Sequence, residues 1–428
     1  MRRLSPEKVL NISLIVVFVL LVLPLYLDKG ISDSLDHARG TGTVGGIDFK
    51  AYYIAADMLR TRKDFYDVEL QTREVLARGL PLNESFYIYP PLLAILFVPL
   101  TTLPIQTAAQ LWFMINLGLY GLALILLARS LELRLASGLL ALFWILAFLF
   151  PPALFTLYKG QVNIVVLLLM TVTYWLHRKG LQTVAGVALG IATMIKLVPV
   201  VLLAYFLWKR KYALSLAVIG TLIVIGALGL LIVGVGPHQT YIASVLPSLA
   251  EPRPNPGNQS LGGFFSLLLI ENAYSDQLAH NPALWKVLTV ASSSLFILAV
   301  VFLCWKRKRG AVAVDLEFAL LVATLPLIAN IAWVDFFVIL LIPYAVLLKY
   351  LYQRKGISYL VALASSSVLL VSSPRLLDLF ANLGRHETLL RNPFTMGLPL
   401  YGLIILWATV ALALRQEHER QLEGGTAS

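Results

Sequence analysis

The chain has 428 residues, of which 59% are hydrophobic and 13% charged, with a formal net charge of +11. Soluble domains carry about 45–50% apolar and about 25% charged residues, so this balance excludes a soluble multidomain enzyme, a disordered chain and a disulfide-rich secreted fold, and points to lipid as the solvent. In that setting an excess of lysine and arginine marks cytoplasmic loops, and nucleic acid is set aside as a partner.

A spanning helix needs about 17–25 mostly apolar residues. In chain order the runs that meet this are 9–27, 107–128, 135–155, 161–177, 212–233, 284–304, 313–331, 333–349, 357–372 and 397–414. The first follows Arg2, Arg3 and Lys8 and lacks a small-residue cleavage site, so it reads as an uncleaved helix. Basic clusters between the runs set orientation. They fall at Arg2/Arg3/Lys8, Arg129/Arg134, Arg178/Lys179, Lys209 to Lys211, Lys306 to Arg309, Lys349/Arg354/Lys355 and Arg415/Arg420, and hold 19 of the 34 basic residues. Placing all of them in the cytoplasm satisfies the positive-inside rule.

That assignment constrains 181–208, which is basic on both flanks. The run must enter and return as a hairpin that turns near Lys196-Leu-Val-Pro199, where a lysine and a helix-breaking proline interrupt the apolar residues. One long kinked helix is the alternative, and it would force a basic cluster outside. With the hairpin, the expected fold is an all-α polytopic membrane protein of about twelve spans, one domain over 1–428, with both termini cytoplasmic. The proline-bounded stretch 89–104 reads as a re-entrant or interfacial segment, or as a short helix.

The outer surface is then made of loops 28–89, 234–283 and 373–396 and of short turns. Within the first loop, 50–62 and 67–78 carry apolar residues three and four apart, which suits amphipathic helices on the membrane surface. The polar residues Asp48, Lys159, Gln161, Asn163, Lys196, Asn258, Gln259, Asn330 and Asp335 all fall on this outer side, although polar groups at membrane depth are costly. Asp48 follows Gly45-Gly46 and precedes aromatics; it reads either as a general base for a hydroxyl or as the N-cap of a helix beginning near Phe49. Lys159, Lys196 and Arg253, with Arg375, Arg385 and Arg391 in the third loop, read as charge for a phosphate, and each loop arginine singly also reads as ordinary solvated charge. No metal-ligand spacing, phosphate loop or nucleophile elbow occurs, so no cofactor or metal is expected.

The ordered set Gly46-Ile-Asp48-Phe49, Tyr52-Tyr53, Phe65-Tyr66, Tyr89-Pro90-Pro91, Lys159-Gly160-Gln161-Val-Asn163, Ile195-Lys196-Leu-Val-Pro199 and Asn258-Gln259-Ser260-Leu261 resembles glycosyltransferase family 87. The resemblance implies the GT-C fold, an extracytoplasmic site in the cell membrane, a polyprenyl-phosphate sugar donor with mannose the first choice, and a lipid or glycan acceptor. It implies an inverting transfer with Asp48 as base. Tyr52, Tyr89, Lys159, Gln161, Asn163, Lys196, Asn258, Gln259, Trp333 and Asp335 would be the substrate-binding residues. Related members carry Ser-Pro-x-Ser-Trp-x-His-His where this chain reads Ala329 to Phe336, so Asp335 and Phe336 replace the two histidines. The competing readings are a glycolipid flippase or transporter and a surface-polysaccharide polymerase or ligase. The ordered motifs and the gathering of polar residues at one face favour the transferase.

Overall fold

The computed structural model describes residues 47–82, 85–133, 143–144, 146–305, 310–354, 365–367 and 391–425. The expected span 9–27, nearly all of 357–372, half of 135–155, and Arg375 and Arg385 lie outside these residues. The described chain is helical, and one isolated bridge, between Asn258 and Trp333, is its β-type pairing.

Six helices among the described residues are long and apolar enough to cross a membrane: Ile105–Ser130, Tyr212–Val233, Pro282–Leu303, Ala311–Ile328, Val334–Gln353 and Leu398–Gln421. They coincide with the expected runs 107–128, 212–233, 284–304, 313–331, 333–349 and 397–414. The expected spans at 161–177 and 181–208 are shorter apolar helices, Asn163–Arg178, Gln182–Ile195 and Val198–Trp208. At about 1.5 Å per residue, the 16 residues of Asn163–Arg178 reach about 24 Å, short of the ~30 Å hydrocarbon layer.

The chain divides into two compact units, one comprising 47–130 and 152–251 and the other 131–151 and 252–425 of the described residues. In the first unit, α1 (Ile47–Arg60) and α2 (Val68–Ala77) come from the first loop. Helix α1 differs from the surface helix expected there: every residue from Phe49 to Met58 is buried. Its small residues Ala51, Ala55 and Ala56 admit close neighbours, and it packs on α3 (Pro91–Phe97) and the 3-10 turn Val98–Thr102. The stretch 89–104 thus holds a short helix and a 3-10 turn. The one acid in the buried run of α1, Asp57, bonds Arg60 (2.6 Å) and Arg78 (2.5 Å), while Glu74 takes Lys63 and Arg78. Those two cations hold the Glu74 carboxyl below its usual range. The ion pairs tie α1 to the end of α2.

Four helices continue the first unit: α4 (Ile105–Ser130), α6 (Asn163–Arg178), α7 (Gln182–Ile195) and α9 (Tyr212–Val233), with α5 (Pro151–Lys159) and α8 (Val201–Trp208) between them. Helices α6 and α7 are antiparallel: Thr173 Oγ1 reaches Ala185 O (3.3 Å) near one end, and Lys196 reaches Asn163 at the other. Helices α7 and α9 are parallel and in tight contact at glycines. A Cβ on Gly186 would sit 2.2 Å from Leu214 O, and one on Gly190 would sit 2.6 Å from Thr221 Cβ. Both helices therefore start at one level, and the chain between them must double back. It does so where α7 stops: Lys196 is extended (φ −144°, ψ 120°), a 3-10 turn covers Val198–Val200, and α8 returns. The His177 ring lies 5.1 Å from that of Phe206, which brings the two basic clusters to one end of this unit, as the hairpin reading requires.

In the second unit, α10 (Leu261–Leu269) packs on α11 (Pro282–Leu303), where Trp285 Nε1 donates to Gly262 O (2.9 Å). Helix α12 (Ala311–Ile328) is its buried centre; it packs on α13 (Leu341–Arg354) and α14 (Leu398–Gly425), with Trp407 Nε1 donating to Thr324 Oγ1 (2.9 Å). A wholly buried 3-10 segment, Val334–Leu340 apart from half-buried Val334, leads into α13.

Candidate active site

In the first unit, family-motif residues far apart in sequence meet at the end of the helices opposite the basic clusters. Helix α5 ends at Lys159, Gly160 reverses the chain with φ +67°, and α6 begins at Asn163. The positive φ is why glycine stands at this turn. Trp112 Nε1 donates to Gly160 O (2.7 Å) and fixes the turn against α4. Gln161 and Asn163 are buried, at 3% and 0% exposure. Gln161 Oε1 accepts the hydroxyls of Tyr52 (2.8 Å) and Tyr89 (3.1 Å). Asn163 Oδ1 accepts the Lys196 ammonium (2.9 Å). The rings of Tyr52 and Tyr89 meet edge to face at 5.1 Å, and Phe97 bridges Tyr52 (5.2 Å) to Trp112 (4.7 Å). Five residues named from sequence, Tyr52, Tyr89, Gln161, Asn163 and Lys196, thus gather at the 159–163 turn in two hydrogen-bonded groups, with aromatic rings packed against the first.

Asp48 lies in the first turn of α1, which begins at Ile47. The helix starts two residues before the expected position, so Asp48 is inside it and not at its N-cap. The unbonded N–H groups of a first turn favour a carboxylate. Ser85 Oγ donates to Asp48 Oδ1 (2.7 Å), and the aspartate is half-buried. Lys159, also half-buried, occupies the last turn of its helix, where backbone carbonyls favour a cation.

The second unit holds the other group. Asn258 and Gln259 are buried, and their side-chain amides are committed to backbone. Asn258 Oδ1 accepts from Ala332 N (3.0 Å) and Ser260 Oγ (3.0 Å), and its Nδ2 donates to Asn330 O (3.3 Å). Gln259 Nε2 donates to Met396 O (2.8 Å), and its Oε1 accepts from Leu400 N (3.0 Å). The Asn258 side chain and the Gln259 backbone N–H, which donates to Ala332 O (2.8 Å), hold 330–332, while the Gln259 side chain holds the start of α14. Replacing Asn258 with Ala strands the buried Ala332 N–H and is expected to destabilise the protein by about 2–3 kcal/mol, read as a lower unfolding midpoint in detergent. A residue that only touched substrate would leave that midpoint in place. Trp333 is half-buried against Gly257, and Asp335 is fully buried in the first turn of the 3-10 segment. Arg391 is paired with Asp276 (2.8 Å) at the surface.

Sequence reasoning missed the residues that position these groups. Tyr66 donates to Tyr89 O (2.7 Å), Tyr87 donates to Pro90 O (2.6 Å), and Gln71 joins Phe65 O to Tyr87 N (2.9 Å each). Burial, the Tyr241 phenol and the Asp64 carboxylate push the Tyr66 hydroxyl well above its usual pKa, so it stays a donor. Phe65-Tyr66 was visible as part of the motif set, but its hydrogen bond to the Tyr89 carbonyl was not. No group of three or more His, Cys, Asp or Glu among the described residues is placed to hold a metal.

The family sequence model described as glycosyltransferase family 87 matches residues 87–330, more than half of the chain. The chain belongs to glycosyltransferase family 87. The match includes Tyr89, the 159–163 turn, Lys196 and Asn258-Gln259; Asp48 and Tyr52 precede it, and Trp333 and Asp335 follow it. A polyprenol-phosphate-mannose-dependent alpha-(1-2)-phosphatidylinositol pentamannoside mannosyltransferase of Mycobacterium tuberculosis is 27% identical over 231 residues, covering 51% of this chain and 48% of that protein. A protein of the same description from Mycolicibacterium smegmatis is 31% identical over 173 residues, covering 39% of this chain and 38% of that protein. The chain therefore aligns with half or less of the length of these relatives.

Proposed function

We propose that this family 87 member is a membrane glycosyltransferase that moves a hexose, mannose first, from a polyprenyl-phosphate donor to a hydroxyl of a lipid or glycan acceptor at the outer face of the cell membrane. The observation that carries the reading is the gathering of Tyr52, Tyr89, Gln161, Asn163 and Lys196 at the 159–163 turn of the first unit. The descriptions of the two mycobacterial relatives support the donor class and a lipid acceptor.

In this reading the Asp48 carboxylate takes the proton of the acceptor hydroxyl as its oxygen attacks the anomeric carbon. The bond from that carbon to the phosphate oxygen breaks on the opposite face, and the electron pair leaves with polyprenyl phosphate. The configuration inverts, and the proton rests on Asp48. Lys196, with Lys159, offsets the charge of the leaving phosphate. In the second unit, Asp335 stands where the family resemblance implies histidine, and a carboxylate suits a hydroxyl better than a phosphate; Asn258 holds the stretch just before it. The test is incubation of the purified protein with a panel of polyprenyl-phosphate sugars and membrane lipid extracts. A new glycosylated lipid formed from polyprenyl-phosphate mannose is expected. A protein that transports glycolipid across vesicles but forms no such product is a flippase, and the proposal falls.

A further inference from the structure

Gln161 Oε1 is occupied by two phenol hydroxyls, those of Tyr52 (2.8 Å) and Tyr89 (3.1 Å). The opposite end of the amide, Nε2, has no partner among the described residues. The side chain is almost entirely enclosed, at 3% exposure, yet Nε2 is not among the closed-off atoms that lack a partner. It therefore lies at the small opening that the residue retains, with two N–H groups to give and nothing to accept with. Two residues along the turn, Asn163 Oδ1 receives the ammonium of Lys196 (2.9 Å), so the next polar group toward α7 is also a donor and a cation. A donor amide on a turn that also binds a lysine, through Asn163, can seat an oxyanion.

We propose that Gln161 Nε2 binds a phosphate oxygen of the lipid-linked ligand, and that Tyr52 and Tyr89 are positioning residues that fix the amide and act only through it. This assigns the two tyrosines a place behind the contact surface, not on it. The inference rests on the reading of the protein as a user of polyprenyl-phosphate donors.

The probe is sugar-free polyprenyl phosphate, titrated against the full chain in nanodiscs of neutral lipid. Gln161→Glu keeps an oxygen for both phenols and replaces the outward N–H groups with part of an anion. It is expected to weaken binding about tenfold or more, because a hydrogen bond to a charged group is lost. The donor KM should rise by a similar factor, with a smaller change in kcat. The double variant Tyr52→Phe/Tyr89→Phe keeps the rings but frees the amide; a loss of about threefold to tenfold is expected. Adding Gln161→Ala to that pair should give no more than the loss of Gln161→Ala alone, since groups acting through one atom are not additive. Wild-type affinity in Gln161→Glu, or losses that multiply in the triple variant, overturns the proposal. A wild-type protein that binds polyprenyl phosphate but transfers no sugar removes the functional reading and leaves the phosphate seat standing. A wild-type protein that binds none removes the seat.

Discussion

Asp48→Asn is expected to abolish sugar transfer, with kcat falling by about 10²–10⁴, while the protein remains folded and inserted. Two local features suit a carboxylate at this position. It occupies the first turn of α1, and the Ser85 hydroxyl donates to Oδ1 (2.7 Å). Asparagine has the same shape, and its oxygen can still accept from Ser85. It loses the negative charge and the ability to take a proton, so the change separates chemistry from architecture. The paired measurements are single-turnover transfer from polyprenyl-phosphate mannose and the unfolding midpoint in detergent. A large loss in the first with the second kept within a few degrees fits the base. Near-normal transfer in Asp48→Asn sinks the assignment and leaves Asp48 as a helix-start residue. Asp48→Ala is the weaker test, since it also removes the partner of Ser85.

Much of this architecture was legible because the bilayer imposes simple demands. Apolar runs had to be helices, and six of them are found, five within four residues of their expected ends and the last running on from an expected 414 to Gln421. The hairpin at 181–208 was readable from charge alone. Arg178/Lys179 and Lys209 to Lys211 share a preference for one side, and Lys196 and Pro199 are poor residues for the middle of a helix. What charge and periodicity could not supply was who covers whom. Helix α1 has the apolar spacing of a surface helix, yet Asp57 and Lys50 are buried too, because Arg60 and Arg78 neutralise the first and Pro81 O accepts from the second (2.5 Å). Asn258 and Gln259 looked like ligand groups for the same reason that Gln161 did: polar motif residues on the expected outer side. Only hydrogen-bond partners separate them. The first two are saturated by backbone at both ends, whereas Gln161 is engaged at one. Asp335 and Phe336 stand where the resemblance implies two histidines, and the structure adds that both are fully buried.

Lys196→Met carries the second large effect, a fall in kcat/KM for the lipid-linked donor of about 10²-fold. The lysine stands where α7 has ended and the chain is extended, so its ammonium is placed by the turn and by Asn163 Oδ1 (2.9 Å). Methionine keeps the length and the apolar stem but removes the charge. Loss of one preorganised group opposite a developing oxyanion costs about 10²–10³ where water is excluded. Lys196 is half-buried, which places the expectation at the lower end of that range. The fold should survive, because a neutral side chain at membrane depth is less costly than a cation. Asn163 would lose a donor at an enclosed oxygen, a defect of about 1–3 kcal/mol that the unfolding midpoint should register. The decisive comparison is between ligands. If Lys196 serves the phosphate, Lys196→Met weakens polyprenyl phosphate binding and donor KM together, and Lys196→Arg, which retains the charge, recovers part of both. If the lysine only secures the turn, stability falls in Lys196→Met while phosphate affinity stays at the wild-type value, and the role proposed for it in leaving-group departure is lost.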